Sequence, residues 1–224
     1  MTVFWLKIIA CVTMICDHIK YVFPTLNVEI MEFLGRMSFP LFSFLIVESY
    51  THTRNMKKYI FRLVVLAIIS QYPFMSFRSA YLSDRFMLDV IFTFLLGIAA
   101  MMVLDKKWND LIKALLVALI LFLGQEVNVD YSLYGVAMVI LFFITRNNKV
   151  ARNILITILV TVFYVMSYKY DLIHNMMVVC SYMGTLSSLF VINLYNGEEG
   201  KKIKYFYYIF YPTHLYFFYL LSLI

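Results

Sequence analysis

Charge is what this sequence has least of. Asp, Glu, Lys and Arg make up 14% of the 224 residues, against 63% hydrophobic. A soluble domain carries about 25% and about 45–50% respectively. So much apolar surface excludes an ordinary globular protein. It predicts an all-α, polytopic transmembrane helical bundle, a single domain over residues 1–224. Cysteine is scarce as well. Cys11, Cys16 and Cys180 are odd in number and lie inside apolar runs, so no disulfide framework is expected. Cys-x-x-Cys pairs, a Gly-x-Ser-x-Gly elbow and a phosphate-cradling glycine loop are all missing. So are linkers, low-complexity stretches and a cleavable leader, and the first apolar run reads as a retained helix. The basic residues form no continuous patch, so no nucleic-acid partner is expected.

What is present is a series of nine apolar segments. They cover roughly residues 3–23, 34–51, 58–77, 87–104, 110–124, 131–145, 153–169, 174–195 and 205–223. The fifth and sixth are short, which suits helices that tilt little or lie among others. Most of the 19 Lys and Arg fall in alternate connections: Arg54, Lys57, Lys58 and Arg62; Lys106, Lys107 and Lys113; Arg146, Lys149 and Arg152; Lys201, Lys202 and Lys204. The excess of positive charge in cytoplasmic loops then places the amino terminus in the cytoplasm and the carboxyl terminus outside. A multi-pass protein of the cytoplasmic (inner) membrane, in contact with the lipid bilayer, is expected.

A few polar residues break the apolar runs, and these are costly in lipid unless paired, solvated or functional. Asp17 and His18 lie about 20 Å from the start of the first helix, at 1.5 Å per residue. Neighbouring residues point about 100° apart, so Asp17 shares a face with Lys20 and His18 with Met14. Pairing of Asp17 with Lys20, or of Asp17 with Arg36 on the second helix, would neutralise the charge. Pro40 allows that second helix to bend. Glu48 and His52 share a face near its basic end, and a solvated pair accounts for them as well as catalysis does. Pro212 and His214 place an imidazole near mid-membrane. Asp89 with Thr93, and Asp130 with Tyr131, either line an external mouth or are ordinary interfacial residues. Two intramembrane histidines do not make a three-histidine metal site, so no metal is expected. These residues alone leave three classes open: an enzyme, a small transporter or channel with an Asp/His/Arg pathway, and a non-catalytic partner in an envelope assembly.

The strings "LKIIACVTMICDHIKYVF", "GRMSFPLFSFLIVESYTHTRNMKKYIFRLVVLAIISQYPF", "FTFLLGIAAMMVLD", "DYSLYGVAMVILFF" and "KYFYYIFYPTHLYFFYLL" together resemble the TraX family, in the same order over nearly the whole chain. The family's namesake is a polytopic inner-membrane protein that N-acetylates the amino terminus of conjugative pilin. The family is similar to a wider group of membrane acyltransferases that carry an acyl unit from cytoplasmic acyl-CoA to an acceptor across the membrane. The resemblance thus implies acetyl-CoA or another acyl-CoA as co-substrate, and a pilin-like or other envelope acceptor. It points at Asp17, His18, Arg36, His52, Arg54 and His214. Of these, Asp17, His18, Arg36 and His214 are the candidate catalytic group, with His18 the first choice of base. Arg54, His52, Lys57, Lys58 and Lys204 are the candidate CoA-binding group, because coenzyme A carries phosphates. The sequence departs from the family pattern at Gln71, where an acidic residue is expected, and at Asp89, where an amide is expected.

Overall fold

Asparagine opens helix after helix in this chain. In the computed structural model, which describes residues 1–83, 85–169, 171–202 and 206–223, the helices are α1 (Val3–Val22), α2 (Val28–Arg36), α3 (Ser38–His52), α4 (Met56–Tyr81), α5 (Val90–Leu104), α6 (Asp110–Glu126), α7 (Ser132–Ile144), α8 (Lys149–Tyr168), α9 (Asp171–His174), α10 (Met176–Asn193) and α11 (Phe206–Leu221). The side chains of Asn27, Asn55, Asn109, Asn148 and Asn175 each accept a backbone N–H from the first turn of α2, α4, α6, α8 and α10. Asp89 does the same for α5 through Ile91 N, at 2.9 Å. Each cap satisfies one of the amide groups that open a helix without a partner.

Every apolar segment expected from the sequence forms a helical span, with α2 and α3 as the two halves of the second. The break falls at Met37, three residues before Pro40. Proline has no N–H for the Arg36 carbonyl and its ring crowds that carbonyl, so the chain restarts as α3 with Pro40 in its first turn. Residues 28–52, 56–81, 149–168 and 176–193 are long and apolar enough to cross a membrane. Phe61, Ile68, Leu111 and Leu115 stand exposed on α4 and α6, where only lipid would solvate them. The protein is a helical membrane protein. The two short segments take different places. α7 lies among α3, α5, α6 and α8 with Val136, Met138 and Phe142 buried. α6 buries only Gly124 and lies at the periphery.

Loop contacts sort the bundle into two ends. At one end, Val3 N donates to Glu198 O at 2.9 Å, and Tyr50 Oη donates to Asp105 Oδ2 at 2.8 Å. This end gathers the lysine- and arginine-rich connections and is called the basic end. At the far end, Leu88 N donates to Asn128 O at 3.1 Å and Asp130 N to Leu88 O at 2.8 Å, clipping two connections together. The grouping follows the alternation of basic loops read from the sequence.

At the far end α2 wedges between α1 and α10. Two glycines permit the approach. A Cβ on Gly184 would stand 2.0 Å from the Phe33 carbonyl oxygen, and one on Gly35 would stand 2.7 Å from Asp17 Cα. Both obstacles are chain atoms that cannot swing aside.

Candidate active site

The α1–α2–α10 crossing encloses a network of four charges. Lys20 Nζ lies 2.6 Å from Asp17 Oδ1 and 2.5 Å from Glu32 Oε2. Arg36 Nε lies 2.5 Å from Glu32 Oε1, and its Nη1 lies 3.9 Å from Asp17 Oδ1. Ser181 Oγ, from α10, also donates to Glu32 Oε1. Lys20 and Glu32 are each 4% exposed, and two positive charges meet two negative ones. Both sequence-based pairings of Asp17 are therefore present, with Lys20 the nearer partner. Glu32 was missed. The sequence reading began the second helix at residue 34, whereas α2 begins at Val28 and brings Glu32 onto the Arg36 face at i,i+4.

Beside this network, at the residue after Asp17, two imidazoles meet. The His18 and His214 ring centres are 5.0 Å apart, edge to face. His18 Nδ1 is 2.8 Å from Met14 O, and His214 Nδ1 is 3.0 Å from Phe210 O. A carbonyl only accepts, so each Nδ1 carries the hydrogen and each Nε2 is turned free for other chemistry. His214 Nε2 is buried with no hydrogen-bond partner. Phe210 stacks on His214 at 5.0 Å, and Phe77 meets His18 at 4.9 Å.

Two cavities approach this pair from opposite ends. The basic-end cavity, about 470 Å³, has Lys7, Arg62, Lys201 and Lys202 on its walls and reaches inward to Met14 and Phe210. These are the residues whose carbonyls hold the two histidines. Tyr207 Oη, also in its wall, is buried without a hydrogen-bond partner. The far-end pocket, about 350 Å³, is lined by Asp17, His18, Arg36, Arg78 and Asp130 among aromatic rings. Among the described residues, none lines both cavities.

The CoA-binding candidates fare differently from the catalytic ones. Asp17, His18, Arg36 and His214 come together. Arg54, His52, Lys57 and Lys58 are exposed on the α3–α4 turn and do not line the basic-end cavity. Helical periodicity explains this: Tyr59, Arg62, Leu63 and Leu66 form the inward face of α4, which turns Lys57 and Lys58 outward. His52 bonds back to Glu48 O at 2.9 Å. Lys204 lies outside the described residues. The basic groups that do face the cavity are Lys7, Arg62, Lys201 and Lys202, of which Lys7 sits inside an apolar run where a loop-based charge reading does not look.

The far-end pocket rests on an unusual loop. Asn128, Tyr131 and Ser132 have φ of 55°, 62° and 44°, a left-handed conformation that side-chain-bearing residues seldom adopt. The turn sets Tyr131 flat on Phe39, ring centres 3.8 Å apart, and puts Asp130 in the pocket wall. Asp130 Oδ1 accepts from Tyr131 N at 3.1 Å, and burial pushes its carboxyl up to about 7. Of the two interfacial pairs read from the sequence, this one lines a mouth. Asp89 is instead fully buried: Ser70 Oγ donates to its carboxylate, and its own N–H donates to Gln71 Oε1 at 3.1 Å. Gln71 and Asp89, read from the sequence as departures from the family pattern, are direct neighbours.

A family model described as TraX protein matches residues 4–222. The chain belongs to the TraX family. The chain is also similar to "Probable fimbrial assembly protein FimC, serogroup H1" of Dichelobacter nodosus. It is 26% identical over 227 residues, covering 95% of this chain and 92% of the relative. No solved structure matches this TraX chain significantly. The histidine pair, the charge network, the far-end pocket and the walls of the basic-end cavity apart from Val3 lie within the stretch that the family model covers.

Proposed function

We propose that the protein is an integral-membrane acyltransferase. It would take an acyl group, acetyl in the first instance, from a CoA thioester in the basic-end cavity. It would pass that group to an amine or hydroxyl of an acceptor in the far-end pocket. The observation that carries this reading is the approach of two separate cavities to one histidine pair: His18 lines the far-end pocket, and the basic-end cavity reaches Met14 and Phe210, whose carbonyls hold His18 and His214. A group-transfer enzyme working across a membrane needs two substrates that enter from opposite sides and touch at a base.

The chemistry suits the residues. His18 Nε2, with Nδ1–H anchored on Met14 O, is placed to take the proton from the attacking nucleophile, and the departing CoA thiolate takes a proton in turn. His214 lies alongside to orient the thioester or to relay that proton. The Asp17–Lys20–Glu32–Arg36 network fixes α1 against α2 and so fixes His18. Lys7, Arg62, Lys201 and Lys202 offer cations to the CoA phosphates. The basic end then faces the cytoplasm, in the cytoplasmic membrane. The relative's name, a fimbrial assembly protein, supports a pilin-like or other envelope acceptor. A transport route would require the Phe77, Phe210 and Phe218 rings around the histidines to part.

The test is acetyl-CoA binding by calorimetry on detergent-purified protein, followed by transfer of labelled acetyl to envelope fractions. Lys7→Ala and Lys202→Glu are expected to weaken binding several-fold, and Arg54→Ala to leave it unchanged. His18→Ala is expected to keep binding and lose transfer by a factor of ~10²–10⁴. A folded wild type that binds neither acetyl-CoA nor longer acyl-CoAs would end this reading.

A further inference from the structure

Arg78 stands outside the Asp17–Lys20–Glu32–Arg36 charge network beside the far-end pocket. Asp17, Lys20, Glu32 and Arg36 satisfy one another. Arg78 lines the same pocket but makes no ion pair among the described residues, and its Nε is buried without a hydrogen-bond partner. Its guanidinium lies 5.7 Å from the Phe74 ring centre. A guanidinium stays charged in any protein environment, so burial cannot discharge it, and its planar fork matches the oxygens of a carboxylate or phosphate. Arg78 also directly follows Phe77, whose ring touches His18. The cation is therefore close to the candidate base without being part of it.

The rest of the pocket fits an anionic ligand with a flat or apolar body. Phe39 stacks on Tyr131 at 3.8 Å and Tyr134 on Phe163 at 4.0 Å, which makes ready-built slabs for a ring or a hydrocarbon face. Asp130 is the one pocket carboxylate outside the network. Arg78 and Arg36 favour its ionised form, but burial outweighs them and holds its carboxyl up at about 7, so near neutral pH it opposes an anion less than a full charge would. We propose that the far-end pocket binds an acceptor bearing an oxyanion, a carboxylate or a phosphate, on Arg78, with the acceptor body between the aromatic walls. Calling the ligand an acceptor rests on the transferase reading; the oxyanion site itself does not.

Four probes of similar shape test it on the full chain in detergent: phenyl phosphate, phenylacetate, benzyl alcohol and benzylamine. Saturation-transfer NMR titrations at neutral pH would give their affinities, with acetyl-CoA binding followed on the same samples. At least one oxyanion probe is expected to bind about tenfold tighter than benzyl alcohol, and the tighter of the two assigns the source as phosphate or carboxylate. Arg78→Gln is expected to erase the preference, Arg78→Lys to keep part of it, and neither to change acetyl-CoA binding. In the wild type, the tighter probe should also shield Arg78 from phenylglyoxal, read by peptide mass spectrometry, so a poorly folding variant does not remove the test. Preference for benzylamine, a preference that survives Arg78→Gln, or no shielding would overturn the proposal. Oxyanion preference without acetyl-CoA binding would sink the transferase reading alone; the reverse would sink this one alone.

Discussion

Glu32–Arg36 and Glu48–His52 are both acid–base pairs at i,i+4 on the same broken helical span, and the protein treats them in opposite ways. The first is enclosed: the Glu32 side chain is 5% exposed and also meets Lys20 and Ser181. The second is at the rim: the His52 side chain is 72% exposed, 3.8 Å from Glu48, and Glu48 takes a hydrogen bond from Tyr195 at 2.9 Å. Spacing makes the two alike. What differs is the company of the helix, because α1 and α10 close over α2 at Gly35 and Gly184 while the end of α3 stays open. A buried pair is costly to assemble and more costly to break; an exposed pair contributes little in either direction.

Breaking the comparison outright is the strongest test. Glu32→Ala leaves Lys20 and Arg36 sharing Asp17, and is expected to cost about 3–5 kcal/mol, enough to prevent recovery of monodisperse protein in detergent. Glu48→Ala should cost about 1 kcal/mol or less. Thermal unfolding and gel filtration of both variants settle the point, and equal losses would mean that burial does not separate the pairs. A smaller effect sharpens the role of helix closure. Gly184→Ala drives a Cβ into the Phe33 carbonyl and is expected to cost about 1–3 kcal/mol. Gly124→Ala, whose nearest obstacle is a Val136 methyl at 3.1 Å, should cost less; the reverse ranking in thermal melts would contradict a backbone-limited crossing.

A pH-dependent effect belongs to a buried carboxylate that forms no ion pair among the described residues. The Asp130 carboxyl titrates at about 7 in the folded chain, above its ordinary value near 4. The folded state then holds more protons than the unfolded state between about pH 4 and 7, so stability falls as pH rises through that window and is level above it. Asp130→Asn should therefore raise stability at pH 8 by about 1–2 kcal/mol, once pocket water is allowed for, and change little at pH 4. A gain of equal size at both pH values would show that ionisation of Asp130 is not the cause.

Particular residues show where the chain could be read in advance and where it could not. His18 and His214 stood out because an imidazole in an apolar run is conspicuous, and they meet. Arg36 was legible for the same reason. Glu32 was not, because "NVEIMEFLGR" looks like a polar connection until α2 is seen to begin at Val28, capped by Asn27. Arg54, His52, Lys57 and Lys58 stay off the basic-end cavity for a related reason: a basic turn marks which side of the membrane it lies on, not which way its side chains face. Lys7 and Arg62 face the cavity through helical phase, and Arg78 through its place beside Phe77.

Hydropathy and loop charge determined the helical class, the apolar helical segments and their sorting into two ends, because both are local properties that lipid reads directly. The asparagine caps belong to the same class of local signal. Only the tertiary structure decided that α2 sinks between α1 and α10, that the 128–132 turn carries Asp130 and Tyr131 into a pocket, and that Arg78 is left outside the charge network. Each of these depends on the rotation of one helix against another. A period of 3.6 residues constrains that rotation without fixing it until close contacts such as Gly184 on Phe33 leave one packing.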